Sequence, residues 1–160
     1  MISTATRVQY ATGYIGLGLL EQAEMELAAI PDSDRELPEV LAAHAELAMA
    51  AKRWTDVVRF ARRLTEVEPG DVQGWVWWAY ALREMQQIRE ARSVLLQIDA
   101  THGDDHAIVP YNLACYYCLL GELDTARRYL SKACKMDPHF KESLATDPDL
   151  AGLRADIGQP

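Results

Sequence analysis

Between about residues 4 and 140 the apolar positions return at intervals of three and four, and no stretch shows the strict alternation of a half-buried strand. This spacing predicts helices throughout. Stop signals divide them into pairs: Gly18 and Gly121 each fall between two helical stretches, while "EPGD" at Glu68 to Asp71 and "MDPH" at Met136 to His139 close two longer units. Laid against itself, the chain aligns in columns. Ala11, Ala45 and Ala79 are each separated by 34 residues, and Ala114 follows after 35 because the "THGDD" loop carries one more residue. Further columns are Tyr10, His44, Trp78 and Leu113; Leu20, Trp54, Ile88 and Leu123; Ala23, Val57, Ala91 and Ala126; Leu27, Ala61, Leu95 and Leu130; and Ile30, Leu64, Ile98 and Ala133. The all-alanine column has a packing reason, since two antiparallel helices joined by a tight turn approach closely only where side chains are short.

The last unit, "YNLACYYCLLGELDTARRYLSKACKMDP", resembles the tetratricopeptide repeat, with Leu113, Ala114, Tyr117, Gly121, Ala126, Leu130, Ala133 and Pro138 at the motif places. The third unit supplies the motif tryptophan as Trp75 but has Gln86 where a turn glycine is usual. The first two units depart further, with Arg7 and Leu41 at the tryptophan place and Ala48 where tyrosine is usual in the second. The resemblance implies an all-α, right-handed solenoid of helical hairpins within a single domain over residues 1–160. Its four repeats are expected over about residues 4–37, 38–71, 72–106 and 107–140, with a C-terminal cap over 141–157. In that tail Asp147 is an expected N-cap with Pro148 at the first helical position, and Phe140 and Leu144 are expected to pack on the preceding unit. Lys141, Glu142, Asp147, Asp149, Arg154 and Asp156 are expected on its outer surface, as a capping element requires.

Residues 73 to 84 carry two apolar stripes, Trp75, Trp78, Ala79 and Leu82 on one and Val76, Trp77 and Tyr80 on the other. A second stripe is either covered by neighbouring helices or left as a surface for a partner. In proteins that the chain resembles, the first helices of successive repeats line a concave groove. Stepping by the repeat places Val8, Gln9, Thr12 and Ile15 there, then Glu39, Ala42, Ala43, Glu46 and Met49. Val76, Trp77, Tyr80 and Arg83 follow, then Tyr111, Asn112, Cys115 and Cys118. The partner-binding set expected from these is Thr12, Glu46, Met49, Val76, Trp77, Tyr80, Arg83, Tyr111, Asn112 and Cys115. Some members of the family hold acidic tails of chaperones through Lys and Asn on this face. Here only Asn112 offers an amide and no Lys lines the face, so that clamp is not expected.

Composition narrows the chemistry. Hydrophobic residues make up 49% of the 160, enough for a packed core, and the net charge of −8 argues against nucleic-acid binding. Three cysteines do not make a disulfide framework, no secretory signal is evident at the start, and no apolar run reaches the ~18 residues of a membrane span. A cytoplasmic protein without membrane insertion is expected. Cys115 and Cys118 lack the helix N-terminus or positive neighbours that activate a thiol, and His102, His106, His139 and Cys134 have no recognised zinc spacing beside them. They are read as small groove-lining or buried thiols, with a redox or metal sensor as the rival. His44 is read as a hydrogen-bonded packing residue. No catalytic residues, cofactor or metal are expected. The function expected is a non-enzymatic module that holds a peptide or helix of a protein partner in an apolar and aromatic groove. The alternatives are a homo-oligomeric scaffold, built on the apolar first unit around Tyr10, Tyr14, Ile15 and Leu17, and a small chaperone for an exported protein.

Overall fold

The computed structural model describes the backbone of residues 1–157 and the side chains of residues 1–155; the expectation for Asp156 and the last three residues of the domain lie outside them. The described residues form ten α-helices and no strand. In chain order these are α1 (Thr4–Gly16), α2 (Leu20–Ala28), α3 (Pro38–Ala50), α4 (Trp54–Val67), α5 (Val72–Glu84), α6 (Ile88–His102), α7 (Ile108–Leu119), α8 (Leu123–Met136), α9 (Phe140–Thr146) and α10 (Ala151–Ile157). Short 3-10 turns occupy Asp32–Asp34 and Pro148–Leu150. The helices pack in two compact units, Met1–Ala81 and Leu82–Pro160.

The repeat is most visible in the hairpin turns. Gly18, Lys52, Gln86 and Gly121 all adopt left-handed backbone, with φ of 74°, 54°, 63° and 78°. At each of them the same pair of hydrogen bonds closes the preceding helix. The N–H groups of residues 18 and 19 donate to the carbonyls of Ile15 and Tyr14, and those of residues 52 and 53 to Met49 and Ala48. Gln86 and Gln87 donate to Arg83 and Leu82, and Gly121 and Glu122 to Cys118 and Tyr117. This is the Schellman ending, which satisfies the last carbonyls of a helix and reverses the chain. The motif places that lack glycine therefore keep the glycine conformation.

The columns are core. Ala11, Ala45, Ala79 and Ala114 are fully buried, as are Ala23, Val57, Ala91 and Ala126. The larger columns fill the layers beside them: Leu27, Leu64, Leu95 and Leu113 are at most 1% exposed, each stabilising the fold by about 1.5–3 kcal/mol. In the first unit one core cluster joins Ala11, Ala23, Leu27, Ile30, Val40, Ala43 and Leu47, with Val8, Tyr14, Ile15 and Leu20 packed against it. Val8, Ile15 and Ala43, expected to line the groove, thus belong to or rest on this core. A second cluster joins Ala48, Val57 and Ala81 with Met49, Trp54, Val58 and Trp77.

The tail departs from its expected outward orientation. Asp147 is an N-cap as the sequence implied, accepting from the Asp149 backbone N–H at 2.9 Å, with Pro148 first in the turn. Phe140 stacks on Tyr111 at 4.3 Å. Lys141 and Glu142 are exposed. Asp147, Asp149 and Arg154, however, turn inward. Arg154 donates to the backbone carbonyls of Leu144 and Asp147 at 2.8 and 2.7 Å, and Leu150 and Leu153 are 0% and 1% exposed. The two leucines carry the segment onto α7 and take the nearby charges with them: Asp147 meets Tyr111 of α7, Asp149 meets Arg83 of α5, and Arg154 bonds carbonyls of the tail itself.

Candidate functional site: the first-helix faces

In the first unit, α3 and α5 present the expected set partly open. Tyr80 is 39% exposed and meets Trp54 edge to face, with ring centroids 5.9 Å apart. Met49, Val76 and Trp77 are half-buried, and Met49 and Trp77 rest on the cluster of Ala48, Val57 and Ala81. Trp54, the first residue of α4, forms part of this aromatic floor although the sequence reading assigned it only to a packing column. It follows the left-handed Lys52 turn by two residues and packs against the cluster of Ala48, Val57 and Ala81. Glu46 is half-buried, and desolvation raises its carboxyl above the usual range. Thr12 is exposed on α1.

In the second unit the corresponding residues are closed over. Tyr111 is 7% exposed, Cys115 3% and Cys118 6%, while Asn112 is half-buried. The Tyr111 hydroxyl donates to Asp147 Oδ2 at 2.5 Å, and the Cys115 thiol points at the same oxygen from 3.9 Å. Arg83, in the last turn of α5, grips Asp149 with two bonds, Nε to Oδ2 at 2.8 Å and Nη2 to Oδ1, and also meets Glu84 at 2.9 Å. Arg83, one of the expected partner-binding set, thus bonds the chain's own tail.

This arrangement decides the chemistry of the cysteines. Burial, then the carboxylates of Asp147 and Asp149, push the Cys115 thiol far up, so it stays protonated and unreactive. All three cysteines are free. Cys115, Asp147 and Asp149 bring three potential metal-ligand atoms within 4.8 Å of one another. The donors are already committed: a guanidinium neutralises Asp149, a phenol occupies Asp147, and the thiol resists the deprotonation that ligation requires. Burial and the bond to Asp147 likewise raise the Tyr111 phenol.

A hollow of about 550 Å³ lies on another surface of the first unit, between Leu41 and His44 of α3 and Phe60 and Arg63 of α4. His44 stacks on Phe60 at 4.6 Å, so its packing contact is with a ring rather than the hydrogen bond expected of it. Burial, followed by the charges of Arg59, Arg35 and Arg53, lowers its pKa. The arginines at the rim are paired: Arg35 with Asp32 at 2.9 Å, Arg59 with Asp56 at 3.3 Å, and Arg63 with Glu66 at 2.7 Å. Each of these arginines thus has a carboxylate partner, while the charges of Arg59 and Arg35 still reach His44.

Paired helices, a repeated left-handed turn and an alanine column at the crossing define the tetratricopeptide-repeat fold. Solved structures agree. The crystal structure of MamA superposes with a TM-score of 0.76 at 15% identity, over 92% of this chain and 84% of that one. TTC0263, a thermophilic tetratricopeptide-repeat protein of Thermus thermophilus, gives 0.73 at 18% identity over 98% and 84%. A MamA fragment from Desulfovibrio magneticus RS-1 gives 0.73 at 17% over 96% and 90%. At these identities the fold is what is shared. No protein-family model and no curated protein sequence matches the chain. Among the described residues, no helix is long and apolar enough to cross a membrane.

Proposed function

We propose that the protein is a non-catalytic interaction module whose first-helix faces hold a peptide or helix of a protein partner. The observation that carries this reading is Tyr80, 39% exposed on a floor of Trp54 with half-buried Met49 and Trp77 nearby. Tyrosine and tryptophan with one edge open and the rest supported lose little entropy on binding and dominate interface energies. Glu46, kept half-buried at the expense of its solvation, fits a face meant to meet a partner polar group. The strongly perturbed titratable groups support a non-enzymatic role, because burial drives the Cys115 and Tyr111 protons toward retention rather than toward a poised nucleophile or base.

The test is affinity capture from extract of the native cell with wild type and Tyr80→Ala, each shown by circular dichroism to be folded. Because Tyr80 is largely a surface residue, truncation leaves the core intact. A hot-spot loss of about 2 kcal/mol weakens Kd about 30-fold and lowers partner recovery accordingly at sub-saturating concentration. Equal recovery of every protein by both forms sinks the reading. A second reading is favoured by the exposed apolar side chains of the first helical pair, Tyr10 at 49%, Leu17 at 75% and Met25 at 69%. They fit a contact between copies of the chain, which light scattering on the same two preparations measures directly as a mass above that of one chain.

A further inference from the structure

The closed face of α7 has the properties of an occupied binding site. Its cover is the segment Asp147–Leu153, and each part of that segment meets a matching group. Asp149 has the two-pronged guanidinium of Arg83, and Asp147 has the Tyr111 hydroxyl at 2.5 Å. Leu150 and Leu153, three residues apart on one side of the segment, are buried. Gly152 lies where the backbone comes closest: a Cβ there would sit 3.1 Å from Cys118 Sγ and 3.3 Å from Leu123 Cδ2. Capping the end of an array requires only an apolar underside and a polar top. A bidentate Arg–carboxylate pair, a phenol on a second carboxylate and a glycine-sized gap are features by which one sequence is chosen over others.

We infer that α7 and the last turn of α5 form a recognition site for a short segment carrying two carboxylates followed by Leu-x-x-Leu, and that Asp147–Leu153 occupies it as a resident ligand. The partner is a segment of the same chemistry, which displaces the resident one and takes over Arg83, Tyr111 and the leucine pockets. The reading rests on the first-helix faces being binding surfaces. It commits to an acidic and apolar ligand, because the cation that grips the resident carboxylate is Arg83 and the wall beside it is Cys115, Cys118 and Leu123.

The probe is a fluorescein-labelled synthetic peptide of residues 145–155, added to the full chain. Wild type is compared with two variants that loosen the resident segment and leave Arg83, Tyr111 and Cys118 untouched: Leu150→Ser/Leu153→Ser, and the milder Gly152→Ala. Fluorescence anisotropy is expected to show binding at least on the order of tenfold tighter to the variants than to wild type. Adding Arg83→Ala is expected to cost on the order of tenfold or more, as is replacing both aspartates of the peptide by Asn. Maleimide labelling of Cys118 gives an independent readout, with half-buried Cys134 as internal reference. Cys118 is protected in wild type, labelled in the variants and protected again by the peptide.

Three outcomes overturn the inference. Peptide that fails to protect Cys118 in a helical variant shows that the face is not a site. Equal binding of the Asp→Asn peptide removes the carboxylate recognition, and loss of helix in both variants shows that the segment is an inseparable part of the fold. None of these touches Tyr80, so the capture experiment with Tyr80→Ala fails or succeeds on its own.

Discussion

Two of the four hairpin turns impose a left-handed conformation on a side chain that resists it, and the cost can be recovered. Lys52 and Gln86 hold φ of 54° and 63°, in the region that costs an ordinary L-residue roughly 1–2 kcal/mol. Glycine removes that penalty but has more freedom to lose on folding, worth about 0.4–1 kcal/mol. The balance predicts that Gln86→Gly and Lys52→Gly each stabilise the fold by about 0.5–1 kcal/mol, or roughly 1–4 °C in Tm for a chain of this size. The reverse exchange is a clean control, because a Cβ at Gly18 or Gly121 would meet nothing within 4 Å. Gly121→Ala therefore isolates the backbone term and is expected to destabilise by about 1 kcal/mol. Urea unfolding followed by circular dichroism gives the midpoints, with an unchanged slope showing that only stability has moved. A neutral Gly121→Ala, or a lowered midpoint for Gln86→Gly, refutes the idea that the turn conformation rather than the residue type is what the repeat conserves.

Ala114 is fully buried in the close-approach column, so Ala114→Leu is expected to cost about 1–3 kcal/mol in urea unfolding, while the same exchange at exposed Ala50 stays within about 0.5 kcal/mol. Burial and neighbouring arginines lower the folded pKa of His44 below its ordinary 6.5, so on acidification the unfolded chain binds this proton first. Stability is therefore expected to fall as pH drops through 6.5 toward the folded value, and His44→Gln to flatten this part of the Tm profile; an identical profile in both proteins refutes it. Glu46, raised from 4.5, slopes the other way just above that value, which is why the comparison is a difference between the two proteins.

The repeat was legible because burial acts on it four times. The alanine column, the leucine columns and the turn positions each report one packing requirement at a spacing of 34 or 35 residues, and agreement among them outweighs the weak motif places in the first two units. Gln86 shows the limit of a motif read by residue type: the glycine is missing and its conformation is not. The tail was read less well. Asp147 and Asp149 look like surface residues when taken alone, and Arg83, which neutralises Asp149, is 66 residues away in the chain. A usable signal was present in Leu150 and Leu153, three apart with Gly152 between them. An apolar pair at helical spacing has to be buried on a neighbouring element, and it carries its charged flanks there.

The resident segment sets a threshold for whatever replaces it. Displacing it exposes Leu150 and Leu153, each worth about 1.5–3 kcal/mol of burial, so a competitor forfeits about 3–6 kcal/mol of its own binding, or roughly two to four powers of ten in Kd. A purely apolar helix gains the same pockets and no more, while leaving Arg83 stripped of Asp149 and Tyr111 of Asp147. A competitor that brings both carboxylates restores those bonds and replaces the segment group for group. The threshold thus discriminates by charge although the apolar contacts supply most of the energy.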